Sequence, residues 1–394
     1  MTGPADTMPC RVCGHDVPAG RFCERCGARL VRERGGGPDW LRGSAFVAAP
    51  GEKVLQPSLV SSLFPHLPRR SLSTFRLGLG LVFVLLVVSC VFHWYVPMVA
   101  VATFAPLLLF AIYLAETGLI VDLPWRVWAL TVVLGLVVGL GWALLTAAIV
   151  KESYSLGLGS EVPTARLVRD AVVIPFGGLL VMQLPTVLVR LTRPPIRESL
   201  YGFAIGVLGA TVFAVTVTMV RLMQEIDAGI TISGQSVTDL LIEAGVRGLT
   251  MPLTAASVSG LVGIALWYSR RPGTSRIRHL AAGGLVLVVV AAAYANVGVV
   301  EVLAIASELQ LLVHVALALA AVVALRVGIQ VAVLHEPQDP LHPDLPILCP
   351  GCGHVVPDAA FCPACGVAAH TASRSSRDAR RRDRPQPTTE LVEQ

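Results

Sequence analysis

Charge is what this sequence most lacks. Only 14% of its 394 residues are Asp, Glu, Lys or Arg and 54% are hydrophobic, whereas a soluble chain of this length carries about 25% charged residues. With a mean hydropathy of +0.69, that scarcity excludes an ordinary water-soluble globule and makes the bilayer the expected solvent. Lysine is nearly missing: Lys53 and Lys151 are the only two. Almost all positive charge is therefore Arg, which with the excess of Ala, Gly and Val fits a high-GC bacterial genome. The first 70 residues lack the apolar run of a secretory leader, so no cleaved signal peptide is expected. Nor does the net charge of +5 require a nucleic-acid partner, because membrane proteins retain Arg in cytoplasmic loops for orientation.

The charge that is present gathers at the two ends and leaves long stretches between residues 77 and 334 almost bare. Runs long enough to cross about 30 Å of hydrocarbon lie near residues 77–96, 98–119, 127–150, 171–190, 200–220, 249–268, 280–300 and 309–331. The expected fold class is an all-α polytopic bundle of about eight transmembrane helices with two small zinc ribbons at its flanks. The last two spans are inferred because Leu280 to Leu325 is too long for one helix, with Asn296, Gly298, Glu301, Ser307 and Glu308 marking the turn. With the N-terminus inside, inner segments hold Arg69, Arg70, Arg76, Arg126, Arg190, Arg193, Arg197, Arg270, Arg271, Arg276, Arg278 and Arg326, and outer loops hold only Lys151, Arg166, Arg169, Arg221 and Arg247. Twelve against five, with an even span count, places the chain in the plasma membrane with both termini cytoplasmic.

Eight of nine cysteines fall into two identical spacings, Cys10-x2-Cys13-x9-Cys23-x2-Cys26 and Cys349-x2-Cys352-x9-Cys362-x2-Cys365. Two C-x-x-C knuckles supply four thiolates to a closed tetrahedral site of the kind that holds structural Zn²⁺. Gly14, Gly27, Gly353 and Gly366 each follow the second cysteine of a knuckle, where the turn around the metal needs a residue free of Cβ strain. The two segments, CRVCGHDVPAGRFCERCG and CPGCGHVVPDAAFCPACG, form an internal repeat best explained by duplication. Phe22 and Phe361, ahead of each third cysteine, are expected to cover one side of their own metal site. His15 and His354 are expected at the surface or beside the site, since four cysteines already complete it. Disulfides would need an oxidising compartment, and the nine-residue spacer is much shorter than in rubredoxin-type iron sites, so two structural zinc ions are the expected cofactors. Cys90, inside the first span, reads as a small buried apolar residue.

The first ribbon has Arg11, Arg21, Arg25, Arg29, Arg32 and Arg34 around it, and the second has no basic residue between its outer cysteines. That inequality argues against a shared nucleic-acid role and favours protein interaction. The domain organisation expected is an N-terminal ribbon over 1–34, a flexible or interfacial linker over 35–74, a membrane domain over 75–335, a second ribbon over 346–369 and a disordered Arg-rich tail over 370–394. Within the spans, Glu116, Asp122, Glu198 and Glu301 lie near helix ends where carboxylates reach water. His314 is deeper, with Gln310 one turn earlier. The fourth span, AVVIPFGGLLVMQLPTVLV, is expected to kink at Pro175, Gly177, Gly178 and Pro185. Gly135 with Gly139, and Gly202 with Gly206, suit close helix approach.

The segments SLVSSLFPHLPRRSLSTFR before the first span and YLAETGLIVDLPW after the second, with the order of the later helices, resemble the PrsW-type intramembrane metalloproteases, particularly relatives with appended zinc ribbons, over roughly residues 54–330. The resemblance implies a Pro-x-x-Glu-Glu-x-x-Lys helix, another Glu-bearing helix and two His-bearing helices. Here Gly178 and Leu179 stand where the paired glutamates belong and Met182 replaces the lysine. The helix YGFAIGVLGATVFAVTVTMV has no Glu, MPLTAASVSGLVGIALW has no His, and only His314 matches the last motif. A metalloprotease needs about three protein ligands, an open metal position and a general base. The sequence therefore points to a non-enzymatic membrane scaffold or regulator that displays two cytoplasmic ribbons for protein interaction or self-association, with no catalytic residue assigned. A protease with an unrecognised site and a transporter or channel stay open as alternatives.

Overall fold

The computed structural model describes residues 7–31, 42, 45, 71–155, 169–227, 237–269, 306–337, 339 and 342–385. Contacts divide the chain into two units. One joins Met1–Ser73, Ala115–Asp122 and Gln330–Gln394, and the other joins Thr74–Leu114 and Leu123–Ile329.

The larger unit is built from long apolar helices: α1 (Ser71–Val91), α2 (Tyr95–Glu116), α4 (Trp125–Ser155), α7 (Ser199–Asp227), α9 (Met251–Trp267) and α10 (Ser307–His335), with the shorter α5 (Ile174–Val181), α6 (Leu184–Leu191) and α8 (Val237–Glu243). Among the described residues, seven stretches are long and apolar enough to cross a bilayer: 73–91, 95–116, 125–151, 174–191, 199–224, 241–267 and 307–335. They correspond to the first six expected spans and the eighth. The span expected at 280–300 lies outside the described residues.

Among the described residues, the stretches containing α7 and α9 are the most buried spans: 67% of each apolar stretch is buried by protein, against 22% for α1. Glycine sets the approach. A Cβ at Gly202 would collide with the backbone of Gly263, and one at Gly206 with the backbone carbonyl of Ser259, so α7 and α9 touch main chain to main chain. On another side, a Cβ at Gly135 or Gly139 would come within about 3.0 Å of Gly209 and Phe213 carbonyls, which fixes α4 against α7. These are the two small-xxx-small pairs visible in the sequence, and they act by packing rather than by excluding water.

Several hydroxyl groups in the spans bond back along their own helices. Thr103 donates to the Val99 carbonyl at 2.7 Å, Thr131 to Val127 at 2.8 Å, Thr216 to Val212 at 2.8 Å and Ser257 to Leu253 at 2.8 Å. In hydrocarbon no water is present to serve them, so satisfaction within the helix is the inexpensive solution. The fourth span breaks as its sequence predicts: α5 ends at Val181 and α6 begins at Leu184. Pro185 has no N–H to offer the Val181 carbonyl. Gly177 and Gly178 leave room for the Trp142 indole, since a Cβ on Gly177 would lie 2.6 Å from its ring.

The smaller unit contains both ribbons, the short helix α3 (Leu119–Asp122) in the loop between α2 and α4, and α11 (Arg374–Arg382). The tail read from sequence as disordered contains this helix instead. Its arginines reach acids outside the tail: Arg381 meets Asp358 at 3.0 Å and Asp339 at 3.3 Å, Arg384 meets Asp358 at 3.1 Å, and Arg377 meets Asp339 at 3.2 Å. At the N-terminus of α11, Asp122 accepts the Arg374 N–H at 2.8 Å and the Ser375 N–H at 2.9 Å, placing a carboxylate where a helix leaves amide donors unpaired.

Candidate metal centres

Each ribbon starts from a two-stranded antiparallel hairpin. In the first, β1 (Thr7–Pro9) pairs with β2 (Asp16–Pro18), aligning Pro9 with Asp16; in the second, β3 (His342–Leu348) pairs with β4 (Val355–Asp358), aligning Leu348 with Val355. The turn between the strands carries the first knuckle. Cys10 N–H donates to the His15 carbonyl at 2.9 Å, and Cys349 N–H to His354 at 2.8 Å. The second knuckle repeats the device, with Cys23 N–H on the Ala28 carbonyl at 2.8 Å and Cys362 N–H on Val367 at 3.0 Å. All four glycines that close the knuckles have positive φ, at 70° for Gly14 and Gly27, 74° for Gly353 and 78° for Gly366, the region in which a Cβ is strained.

These turns gather Cys10, Cys13, Cys23 and Cys26 into one cluster and Cys349, Cys352, Cys362 and Cys365 into another, with all sulfurs of a cluster within 4.8 Å of one another. Sulfur separations are 3.7 Å for Cys10 and Cys26, 3.8 Å for Cys13 and Cys23, 3.7 Å for Cys349 and Cys365, and 3.9 Å for Cys352 and Cys362. Ligands about 2.3 Å from a tetrahedral Zn²⁺ stand about 3.8 Å apart along each edge, so the residues present fit that ion. Without a cation the four sulfurs of the second cluster cannot all ionise. Hydrogen bonds from Cys362 and Cys365 hold the Cys349 thiol well below its ordinary range. The same contacts push Cys362 up to about 12 and Cys365 higher. A divalent cation binding there displaces the retained protons.

His15 is exposed and its Nδ1 lies 2.9 Å from the Cys13 carbonyl, and His354 is exposed, so neither ring belongs to a sulfur cluster. The first ribbon's core is Cys10, Val17, Cys23 and Ala28, and the second's is Cys349, Val356 and Cys362. Phe22 and Phe361 belong to neither, which corrects their expected role. Each phenylalanine packs on the opposite ribbon: a Cβ on Gly366 would lie 2.6 Å from the Phe22 ring, and one on Gly27 would lie 2.5 Å from the Phe361 ring. The backbones exchange hydrogen bonds in the same reciprocal way, Phe22 N–H to the Pro363 carbonyl at 3.1 Å and Phe361 N–H to Glu24 at 2.9 Å. Sequence reasoning missed this pairing, although two copies of a module, each with one large apolar side chain and no core position for it, were a signal. Two further links support it: Ala368 N–H donates to the Ala45 carbonyl at 3.0 Å, and Arg42 donates to the Cys26 carbonyl.

The charge around the two clusters differs. Arg11, Arg21 and Arg25 are exposed on the first ribbon, and Arg29 lies over the Phe22 ring at 5.5 Å; Arg32 and Arg34 lie outside the described residues. Beside the second ribbon, the His370 ring with Arg377 and Arg381 holds the Asp339 carboxyl well below the usual carboxylate range.

Other sequence candidates are scattered. His314 is 2% exposed and its Nδ1 donates to the Gln310 carbonyl at 2.8 Å. Leu179 and Met182 are buried, Cys90 packs half-buried against the cluster of Tyr95 and Met98, and Glu301 lies outside the described residues. Asp122, half-buried at the end of α3, accepts the first amides of α11. Among the described residues, the two cysteine clusters are the groups of three or more His, Cys, Asp or Glu close enough to hold a metal ion. No family model, curated protein or solved structure matches the chain.

Proposed function

We propose that this chain is a non-enzymatic multi-pass membrane scaffold or regulator whose paired ribbons, each closed around a structural Zn²⁺, present a cytoplasmic surface to a protein partner. The observation that carries the reading is the completeness of each sulfur set. Four thiolates at tetrahedral spacing leave a zinc ion no open position for water or substrate, so the metal's role is to hold a small fold together. The two sites supply no reaction step. Their ligands orient the knuckles, and the knuckles fix the surface.

Reciprocal contacts between ribbons from opposite ends of the chain support a shared side for both termini, and the eight crossings expected from sequence meet that parity. The pairing also alters the self-association reading. The surface by which one ribbon would meet another is already covered within the chain, so the faces left for recognition are the outer ones, including exposed Arg11, Arg21 and Arg25. A protease-like ancestry without its catalytic set is compatible with Gly178, Leu179 and Met182 at the motif positions, and belongs to the same proposal.

Co-purification from membranes tests the reading. Intact protein is expected to retain a partner that is lost when Cys10 and Cys13, or Cys349 and Cys352, are replaced by Ser. Identical partners in all three preparations would remove its support. A transport path through the broken fourth span is the second reading, favoured by Gln183 at the break, whose Oε1 is buried and without a hydrogen bond among the described residues. Substrate-dependent flux in vesicles that Gln183→Leu abolishes would replace the scaffold reading.

A further inference from the structure

The contacts between the ribbons are isologous. Phe22 and Phe361 occupy the same place in the repeat, one residue before the third cysteine. Their acceptors, Pro363 and Glu24, are also equivalent, one residue after it. The glycines beneath the rings, Gly366 and Gly27, both follow the fourth cysteine. A patch whose residue i meets j while j meets i is the signature of a two-fold interface between like subunits. Here the two subunits are the ends of one polypeptide.

Both rings are buried, Phe22 at 6% exposure and Phe361 at 0%. Each lies on the knuckle that holds the other ribbon's third and fourth ligands. The knuckle glycines have φ of 70° and 78°, and the Phe361 and Phe22 rings close the space above them. A ribbon that loses its metal releases its own phenylalanine together with the backbone acceptor used by its neighbour. The neighbour then has an uncovered knuckle and an unpaired Phe N–H.

We propose that each ribbon is the other's docking partner, so that the two sites hold zinc as one coupled unit. The inference rests on the zinc reading above but not on any external partner. Its energetic basis is ordinary: burying a Phe side chain stabilises strongly, and truncating one in a packed site is among the costlier substitutions. Coupling of this kind makes the joined ends respond as a unit when a chelator or a thiol oxidant removes metal from either one.

The test uses full-length zinc-loaded protein in detergent, treated with N-ethylmaleimide in the presence of a competing zinc chelator, with alkylation followed peptide by peptide. Phe22→Ala is expected to speed alkylation of Cys352 and Cys365 by at least about tenfold, roughly the scale of a 1.4 kcal/mol change. Phe361→Ala is expected to do the same to Cys13 and Cys26. Acceleration confined to the ribbon that carries the substitution overturns the proposal. Because either variant can also loosen its own ribbon, Cys10→Ser with Cys13→Ser supplies the second case, and unchanged alkylation of the Cys349 to Cys365 set there overturns it equally.

Pairing within one chain is tested separately by Gly20→Cys with Pro363→Cys. A Cβ at Gly20 would stand 3.6 Å from the Pro363 Cβ, within disulfide reach. Mild oxidation is expected to give a cross-link inside single chains; a cross-link only between copies, or none, overturns the pairing. Metal analysis of the wild type separates the two levels: protein without zinc ends the zinc reading, whereas two zinc ions released independently end only the coupling.

Discussion

The two ribbons share ligand spacing, hairpin register and knuckle turns, yet their surroundings are opposite. Among the described residues, the first meets the second through the exchanged phenylalanines and turns exposed arginines outward. The second is fastened by ion pairs, Asp358 to Arg381 and Arg384 and Asp339 to Arg377 and Arg381, with the Asp339 N–H donating to His370 Nε2 and α11 capped by Asp122. The difference teaches that a duplicated metal site fixes only its own geometry. What each copy does is decided by a few residues around it, and here one copy reads as the anchor and the other as the presented face.

Metal ligands give the largest way to break that comparison. Structural zinc supplies about 10 kcal/mol or more to a small module, so Cys23→Ser and Cys362→Ser should each unfold the ribbon that carries them. The consequences beyond it should differ. Cys23→Ser reaches α11 only through the second ribbon and is expected to weaken its amide protection in part, because Asp122 and Asp339 still hold the helix. Cys362→Ser is expected to weaken it further, since Asp358 sits at the end of the ribbon's own strand. Hydrogen exchange over 374–382 distinguishes them, and equal loss of protection in both would dissolve the anchor.

Next in size is the acid beneath the tail. Asp358 is 2% exposed and its Oδ2 serves two guanidinium groups. Asp358→Ala leaves Arg381 and Arg384 without that acceptor, at a cost of about 3 kcal/mol for a buried pair broken on one side. The loss should appear as faster exchange in α11 and β3 with zinc still bound at the first ribbon.

Asp339 sharpens the same contrast through pH. Its folded pKa is depressed, by the His370 ring and then by Arg377 and Arg381, so its contribution is fully present above the unfolded value of about 4 and is lost as pH falls through the folded one. The protection that wild-type α11 enjoys over Asp339→Asn should therefore be level from neutral pH down to about 5 and shrink below about 4. An advantage that persists undiminished at pH 3 would assign the effect to packing instead of charge.

How much of this was legible in the sequence follows from where each constraint resides. Cysteine spacing encodes metal geometry locally, and the four knuckle glycines and the Pro and Gly of the fourth span impose backbone conformations wherever they stand. Those features, and the Gly202 and Gly206 contact, were readable in one dimension. The exchange of Phe22 and Phe361 was not, because its partners lie at opposite ends of the chain. The α11 helix was missed for a related reason. Its Ser and Arg composition resembles a solvated tail, and its stabilising acids are distant or on the far side of a cysteine cluster. A usable signal was present nonetheless: Arg377, Arg381 and Arg384 recur at i, i+4 and i+7, one face of a helix, and Asp339 and Asp358 flank the beginning of the second ribbon.

The smallest expected effect on stability bears most directly on function. Arg25 is exposed on the first ribbon, beside the cysteine that closes its site, and it lies outside the ion-pair network that holds the second. Reversing its charge should change folding by no more than about 0.5 kcal/mol, leaving zinc content and α11 protection at wild-type values. If the outward face of this ribbon recognises an acidic protein surface, Arg25→Glu should nevertheless reduce recovery of the partner, and the residual binding should lose part of its dependence on salt. The corresponding position of the second ribbon is Ala364, which half-buries against that ribbon's own core. Ala364→Arg should therefore disturb packing without creating a second docking face. A partner that ignores Arg25→Glu would move recognition away from the basic ribbon and leave both modules with the single task of holding the chain's ends together.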